Sequence, residues 1–328
     1  MSRFSIAFLS LLACAAFAAD SRPSKSDIKK ASERGAALRQ QTKLVPGVPQ
    51  ASAAMMKAGG VPCGYAGLSI TDAKGEGGAV YKLTEQYKAG LSEEGQQALM
   101  TYRGTMLLAA DLALISGRLE QTSELTDKTK GNHQIVSTTI MVEVKGDEIS
   151  WHRRAQRKDE KDPFLTENKK LSLHGVKPIP KTALPGLAAL HLAAQPGGWK
   201  PDPKDALCVP VLDANFDLDS LDILPAWIAF DVPTYMNPKE TAAVMRVREL
   251  VGEVGDNGLD VEPPTPQVWQ AHQDWALDAA AHVLAYPSPD DPRIKVERLE
   301  HAALETAPPL DLDKIAEALK AAAAKPAK

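Results

Sequence analysis

The stretch SEEGQQALMTYRGTMLLAADLALISGRLEQTSELT, residues 92–126, decides the fold class to which this chain is assigned. Ser92 followed by Glu93 and Glu94 has the form of a helix start: a Ser hydroxyl accepts from a first-turn amide, and acids there complement the positive end of the helix dipole. Beyond it Leu99, Tyr102, Met106, Leu107, Ala110, Ala113, Leu114 and Leu119 recur near the helical period, with Gly104 and Gly117 as bending points. The reading is one long helix over about residues 93–126, with an apolar stripe broad enough for a central core element.

Downstream the periodicity changes from helical to twofold. Val136, Ile140, Val142 and Val144 alternate with Ser137, Thr139 and Glu143, a Lys145-Gly146-Asp147 turn follows, and Ile149, Trp151 and Arg153 resume the period. This predicts a β-hairpin over about 134–157. Further strands are expected over about 164–176 and 209–232, and a short apolar helix from Pro185 to Ala194. Asn237, Pro238 and Glu240 have the form of a cap, a first-turn proline and an acid, which predicts a helix to about Val251; another is read from Val268 to Tyr286. The fold class expected is therefore α+β, with central antiparallel strands packed by the long helix and by C-terminal helices. Its boundaries are a signal peptide (1–18), a polar, Pro-containing leader (19–60), a single α+β domain (61–303) and a tail (304–328) carrying one amphipathic helix, Leu312 to Ala323. Within the leader, Ser26 is expected to cap a short helix running to Gln41. The glycines from Gly59 to Gly78 match no phosphate-cradling motif and are read as turns.

The N-terminus carries the clearest functional signal. Arg3 precedes an apolar run from Phe4 to Ala16, and Ala16-Phe17-Ala18 has the small-x-small form of a signal-peptidase site, so the protein is expected to be exported, secreted or periplasmic. Leu11-Leu12-Ala13-Cys14 also resembles a lipobox, and lipidation of Cys14 is the alternative that would anchor the protein to a membrane. The longest apolar stretch after it, Met106 to Ile115, is too short to span a bilayer. Export leaves Cys63 and Cys208, an even pair for which a disulfide is expected. With 38 basic and 42 acidic residues the formal charge is −4, too balanced for the positive field that holds nucleic-acid phosphates.

Candidate chemistry is sparse. Asp111 falls inside the most apolar part of the long-helix reading, where a carboxylate must be paired, exposed or protonated, which makes it the candidate catalytic acid. Asp274, Asp278 and His282 fall on one face of a helix at a spacing that could share a metal ion, although their neighbours Gln270 and Gln273 make that face polar throughout. Asp213, Asn215, Asp217 and Asp219 begin like a calcium loop, but Leu218 stands where the turn needs glycine and Leu224 where a closing glutamate belongs. Arg153, Arg154 and Arg157 are the expected counter-charges if no ion sits there. Ser26 and Lys29 form an S-x-x-K pair without its companion motifs, and Ser26 is better explained as a cap. Apart from calcium no cofactor is expected. The leading reading is an exported binding or structural protein whose partner is an unknown protein or cell-envelope component. The alternatives are an extracytoplasmic hydrolase using carboxylate and His residues, and a secreted effector or inhibitor.

Overall fold

The computed structural model describes residues 22–41, 50–75, 78–93, 95–195, 202, 205–214, 221–231, 243–256, 258–279, 283–285, 294–299, 304 and 306–323. Eight strands form an antiparallel meander: β1 (Gln50–Ala58), β2 (Val61–Asp72), β3 (Tyr81–Glu93), β4 (Gln96–Leu108), β5 (Leu114–Asp127), β6 (Asn132–Lys145), β7 (Glu148–Arg157) and β8 (Leu165–Ser172). A late strand, β17 (Ile294–Leu299), pairs outside β1 and completes a sheet of nine. The second sheet contains β9 (Ile179–Pro180), β10 (Leu207–Ala214), β11 (Leu221–Asp231), β12 (Ala243–Glu249), β15 (Gln273–Leu277) and β16 (Val283–Ala285). Its order is β16-β15-β12-β11-β10-β9, antiparallel except for β9 against β10. β13 (Gly252–Gly255) and β14 (Gly258–Val261) make a separate small hairpin.

The chain is thus mostly antiparallel sheet with few helices, and the long helix expected over 93–126 is replaced by the paired strands β4 and β5. The burial pattern shows why the strands are stable. On β4, Gly104, Met106 and Leu108 are buried while Thr101, Arg103 and Thr105 are exposed, a twofold alternation that a helix would scramble. Gly95, at φ 84°, makes the β3–β4 turn inside the stretch read as a helix start. The β4–β5 turn contains no Gly, Pro or Asn; Ala109 and Ala113 close it by a 2.9 Å backbone hydrogen bond, with buried Leu112 at φ 64°.

Two more helix expectations give way to strands. The part of 237–251 that is described is β12, in which Met245 and Val247 face one side and Arg246 and Arg248 the other. Its predicted cap, Asn237 to Glu240, lies outside the described residues. Over 268–286 the helix is confined to α3 (Pro266–Gln270), capped by Thr265 accepting from the Val268 amide at 3.3 Å, and β15 and β16 follow. The hairpin, the 164–176 strand and the 209–232 strands have their counterparts in β6–β7, β8 and β10–β11.

The segment read as a leader is built into the fold. It supplies β1 and α1 (Lys25–Gln41), whose start is capped by Ser24 rather than Ser26: the Ser24 hydroxyl and amide donate to the Asp27 carboxylate, and Ser24 Oγ accepts from the Asp27 amide at 3.3 Å. Gly35 lets α1 lie against β10, since a Cβ there would meet the Cys208 carbonyl oxygen at 2.7 Å. The main core lies between the two sheets and is filled by α2 (Leu184–Ala193), whose Leu184, Leu187, Ala188 and Leu190 are fully buried. A helix apolar on all sides is stable only inside such a core. The other face of the second sheet is covered by α1 and α3, with Trp227 edge-on to Trp269. The tail helix α4 (Leu312–Ala323) has the bounds expected for it and packs Ile315 and Ala318 beside Cys63 and Ala58 on the outer face of the first sheet. Among the described residues, no helix is long and apolar enough to cross a membrane.

Candidate functional site

Between the two sheets lies a cavity of about 120 Å³. Its floor and walls are apolar, supplied by Met106, Leu114, Leu119, Val142, Pro180 and Leu212, and its polar groups are Glu85, Tyr102, Lys181 and Thr182. Strand periodicity places them. Tyr81, Leu83 and Glu85 point to the same face of β3, so Glu85 occupies an apolar position in the alternation and is carried toward the core. Lys181 and Thr182 come from the 3-10 turn that leads into α2.

Glycine at 104 makes room for the polar groups. It is the register partner of Glu85, and a Cβ there would stand 2.6 Å from Glu85 Oε1 and 2.8 Å from the Tyr102 hydroxyl. Burial pushes the Glu85 carboxyl up to about 7, against a smaller lowering influence from Thr182. The Thr182 hydroxyl is buried without a hydrogen-bond partner of good geometry, so its effect on Glu85 is that of a nearby dipole. Lys181 is ion-paired with Glu249, so its charge is already matched. The site therefore presents an apolar pocket with one carboxyl that changes charge near neutrality, a hydroxyl with unused hydrogen-bonding capacity and no surplus positive charge.

The residues singled out from the sequence are elsewhere. Asp111 sits in the β4–β5 turn, where Oδ1 accepts from the Ala113 amide at 3.1 Å and Oδ2 is 3.9 Å from Arg39 Nη2, a turn-stabilising arrangement. Asp274 lies on β15, and Asp278 follows the end of that strand, so the common helix face does not exist; His282 lies outside the described residues. Asp274 instead makes a two-pronged pair with Arg246 at 3.0 and 3.1 Å, and Arg246 also reaches Asp231 at 3.2 Å. Asp213 is placed on β10 opposite Asp222, while Asn215, Asp217 and Asp219 lie outside the described residues. The basic residues expected to face them are on the other sheet, where Arg153 pairs with Glu167 and Arg157 with Glu160. In this structure Cys63 packs against α4 and Cys208 against α1, each a buried thiol in a different cluster.

Of the cavity's polar residues only Tyr102 was named from the sequence, and there as part of a helical apolar stripe. One signal was present: in Tyr81, Leu83, Glu85, Tyr87 and Ala89, Glu85 is a charged residue in the apolar phase of a strand, the pattern that flags a buried carboxylate.

No protein-family model matches this sequence, and neither does any curated protein. Among solved structures, it is similar to a β-barrel-like protein of the domain of unknown function DUF1849 from Brucella abortus, at 9% identity and a TM-score of 0.39, over 78% of this chain and 96% of that one.

Proposed function

We propose that this chain is an exported binding protein whose ligand is a small amphiphile with an uncharged or cationic head, held in the cavity between the sheets. The observation that carries the reading is the Glu85 carboxyl in a pocket whose walls are mostly apolar. An apolar wall favours an apolar guest, and a single convergent polar cluster fixes its orientation. The cavity is close to the roughly 150 Å³ that admits a benzene-sized guest, so the buried part of the ligand is a ring or a short chain. A carboxylate head would meet Glu85 with like charge, and Lys181 is already paired with Glu249, so ammonium, hydroxyl and amide heads are the ones accommodated.

Export rests on the pattern from Arg3 to Ala18. Two measurements test the proposal. Titration calorimetry with hexylamine should show saturable binding to the wild-type protein that weakens in Glu85→Gln, and heat no different from dilution would reject the cavity as the site. Mass spectrometry of the protein recovered outside the cytoplasm should give a mature N-terminus near Ala19. An intact Met1 would reject export through this segment, whereas acylated Cys14 would make the protein membrane-anchored.

A further inference from the structure

We infer that the binding site continues out of the cavity as an apolar trough along β3 and β4, and that its ligand is a single-chain amphiphile lying in the trough with its head at Glu85. The inference rests on the cavity reading above and specifies the ligand class. On the face of the first sheet that carries Leu83 and Glu85, the next positions along β3 are Tyr87, Ala89 and Leu91, and their register partners on β4 are Tyr102, Met100 and Ala98. Tyr102 also lines the cavity, so the two spaces share a wall. Leu125 follows on β5, opposite Ala98. Tyr87, Leu91 and Leu125 are 37%, 42% and 47% exposed, although they lie on the face that is buried deeper in the molecule.

Dimensions select the occupant. Glu85 to Leu91 is six residues, about 20 Å at roughly 3.3 Å per residue, and two strands are about 10 Å across. On β5 and β6 two of the three rows turn polar, as Gln121 and Ser123, then Thr138 beside Gln121, whereas the Leu91 row stays apolar through Ala98 to Leu125. An area of the order of 200 Å² is far below the roughly 1,000 Å² expected of a specific protein interface, so the strip suits a small molecule rather than a protein partner. Glu85 stands where the cavity meets the strip, and a chain too long for the cavity runs from its head at Glu85 along the strip instead.

The test compares hexylamine with dodecylamine, each below its micelle concentration, by calorimetry on the full-length mature protein. One-sided burial should strengthen binding about twofold per methylene, half the free energy of full burial, making dodecylamine roughly 60-fold tighter. Leu91→Asp and Leu125→Asp, at exposed positions that leave the core intact, should abolish that gain and leave hexylamine unchanged. Equal affinities for the two amines would overturn the trough while leaving the cavity reading in place; binding of neither would reject the cavity itself. Loss of both amines to the same degree in the Asp variants would also overturn the trough. So would flotation with phosphatidylcholine vesicles in the absence of dodecylamine binding, which would make the strip a membrane-facing patch.

Discussion

Arg39, near the end of α1, donates its Nε to the main-chain carbonyl of Asp111 at 2.9 Å, tying α1 to the turn between β4 and β5. Nη2 of the same guanidinium donates to the Lys177 carbonyl at 3.0 Å, whereas the Asp111 carboxylate is 3.9 Å away. The carbonyls therefore matter more than the charge. Arg39→Met should cost about 2–4 kcal/mol, because it leaves two poorly hydrated acceptors without donors. Asp111→Asn should cost under about 1 kcal/mol, since the amide oxygen still accepts from Ala113. Urea unfolding distinguishes them, and equal losses would mean that the carboxylate charge holds the turn.

Glu85 gives stability a dependence on pH with a defined sign. Its carboxyl titrates near 7 in the folded protein against 4.5 in the unfolded chain, so between those values the folded state holds the extra proton. Stability should decline as pH rises from about 4.5 to 7 and then stay low, by at most about 3 kcal/mol. Glu85→Gln should remove this slope, melting higher than wild type at pH 8 and equal to it at pH 4. Parallel melting curves for the two proteins across that range would show that the carboxyl is not buried as described.

Hexylamine binding should follow the same proton in the opposite sense. The amine stays cationic across this range, so its affinity should rise as Glu85 ionises through about pH 7 and level off above it. Hexanol, which has no charge, should lack that rise. A pH-independent affinity for the amine would place its head away from Glu85.

Arg246 on β12 is buried between Asp231 and Asp274, and removing it strands two carboxylates together. Arg246→Ala should cost about 3–5 kcal/mol, the loss typical of a buried pair broken from one side. Asp274→Asn keeps a carbonyl oxygen toward the guanidinium and leaves Asp231 in place, so it should cost less than half as much. The reverse order in a denaturant series would show that Asp274 does something other than hold Arg246.

Both cysteines should behave as protected thiols. Cys208 is 3% exposed, and burial pushes its thiol up to about 11, with a smaller lowering effect from Ser32, so little thiolate forms at neutral pH. A thiol reagent should react slowly with folded mature protein and titrate two groups after denaturation without reductant. None titrated after denaturation would establish the Cys63–Cys208 bond that the structure does not contain.

The hairpin of β6 and β7 was legible because its information is local. Valines and isoleucines alternate with polar residues, and Gly146 takes the φ of 62° that the turn requires, so Lys145 meets Glu148. The tail helix was legible for a similar reason: it is amphipathic, and its start is fixed by Asp311, which accepts from the Lys314 amide at 3.1 Å. The strands over 92–126 were not legible, because neither face of β4 is purely polar. Leu99 is the register partner of Gly90, over which Leu312 and Ile315 of α4 lie, so apolar residues occur on the outer face as well as the inner one. Apolar residues in both phases of a strand imitate a helical stripe.

By itself the sequence determined what short-range chemistry decides: the twofold period of β6 and β7, the glycine of their turn, the capped amphipathic tail helix and the apolar run that becomes α2. Tertiary structure decided the rest. The β4–β5 turn has no Gly, Pro or Asn; besides the local bond from the Ala113 amide to Asp111 it is held by Arg39 from α1, far away along the chain. Arg246 draws Asp274 into an ion pair across two strands. The cavity exists only where Glu85 of the first sheet comes to face the turn that carries Thr182. Each of these is a relation between residues distant in sequence, and a local period carries no information about which distant surface will cover it.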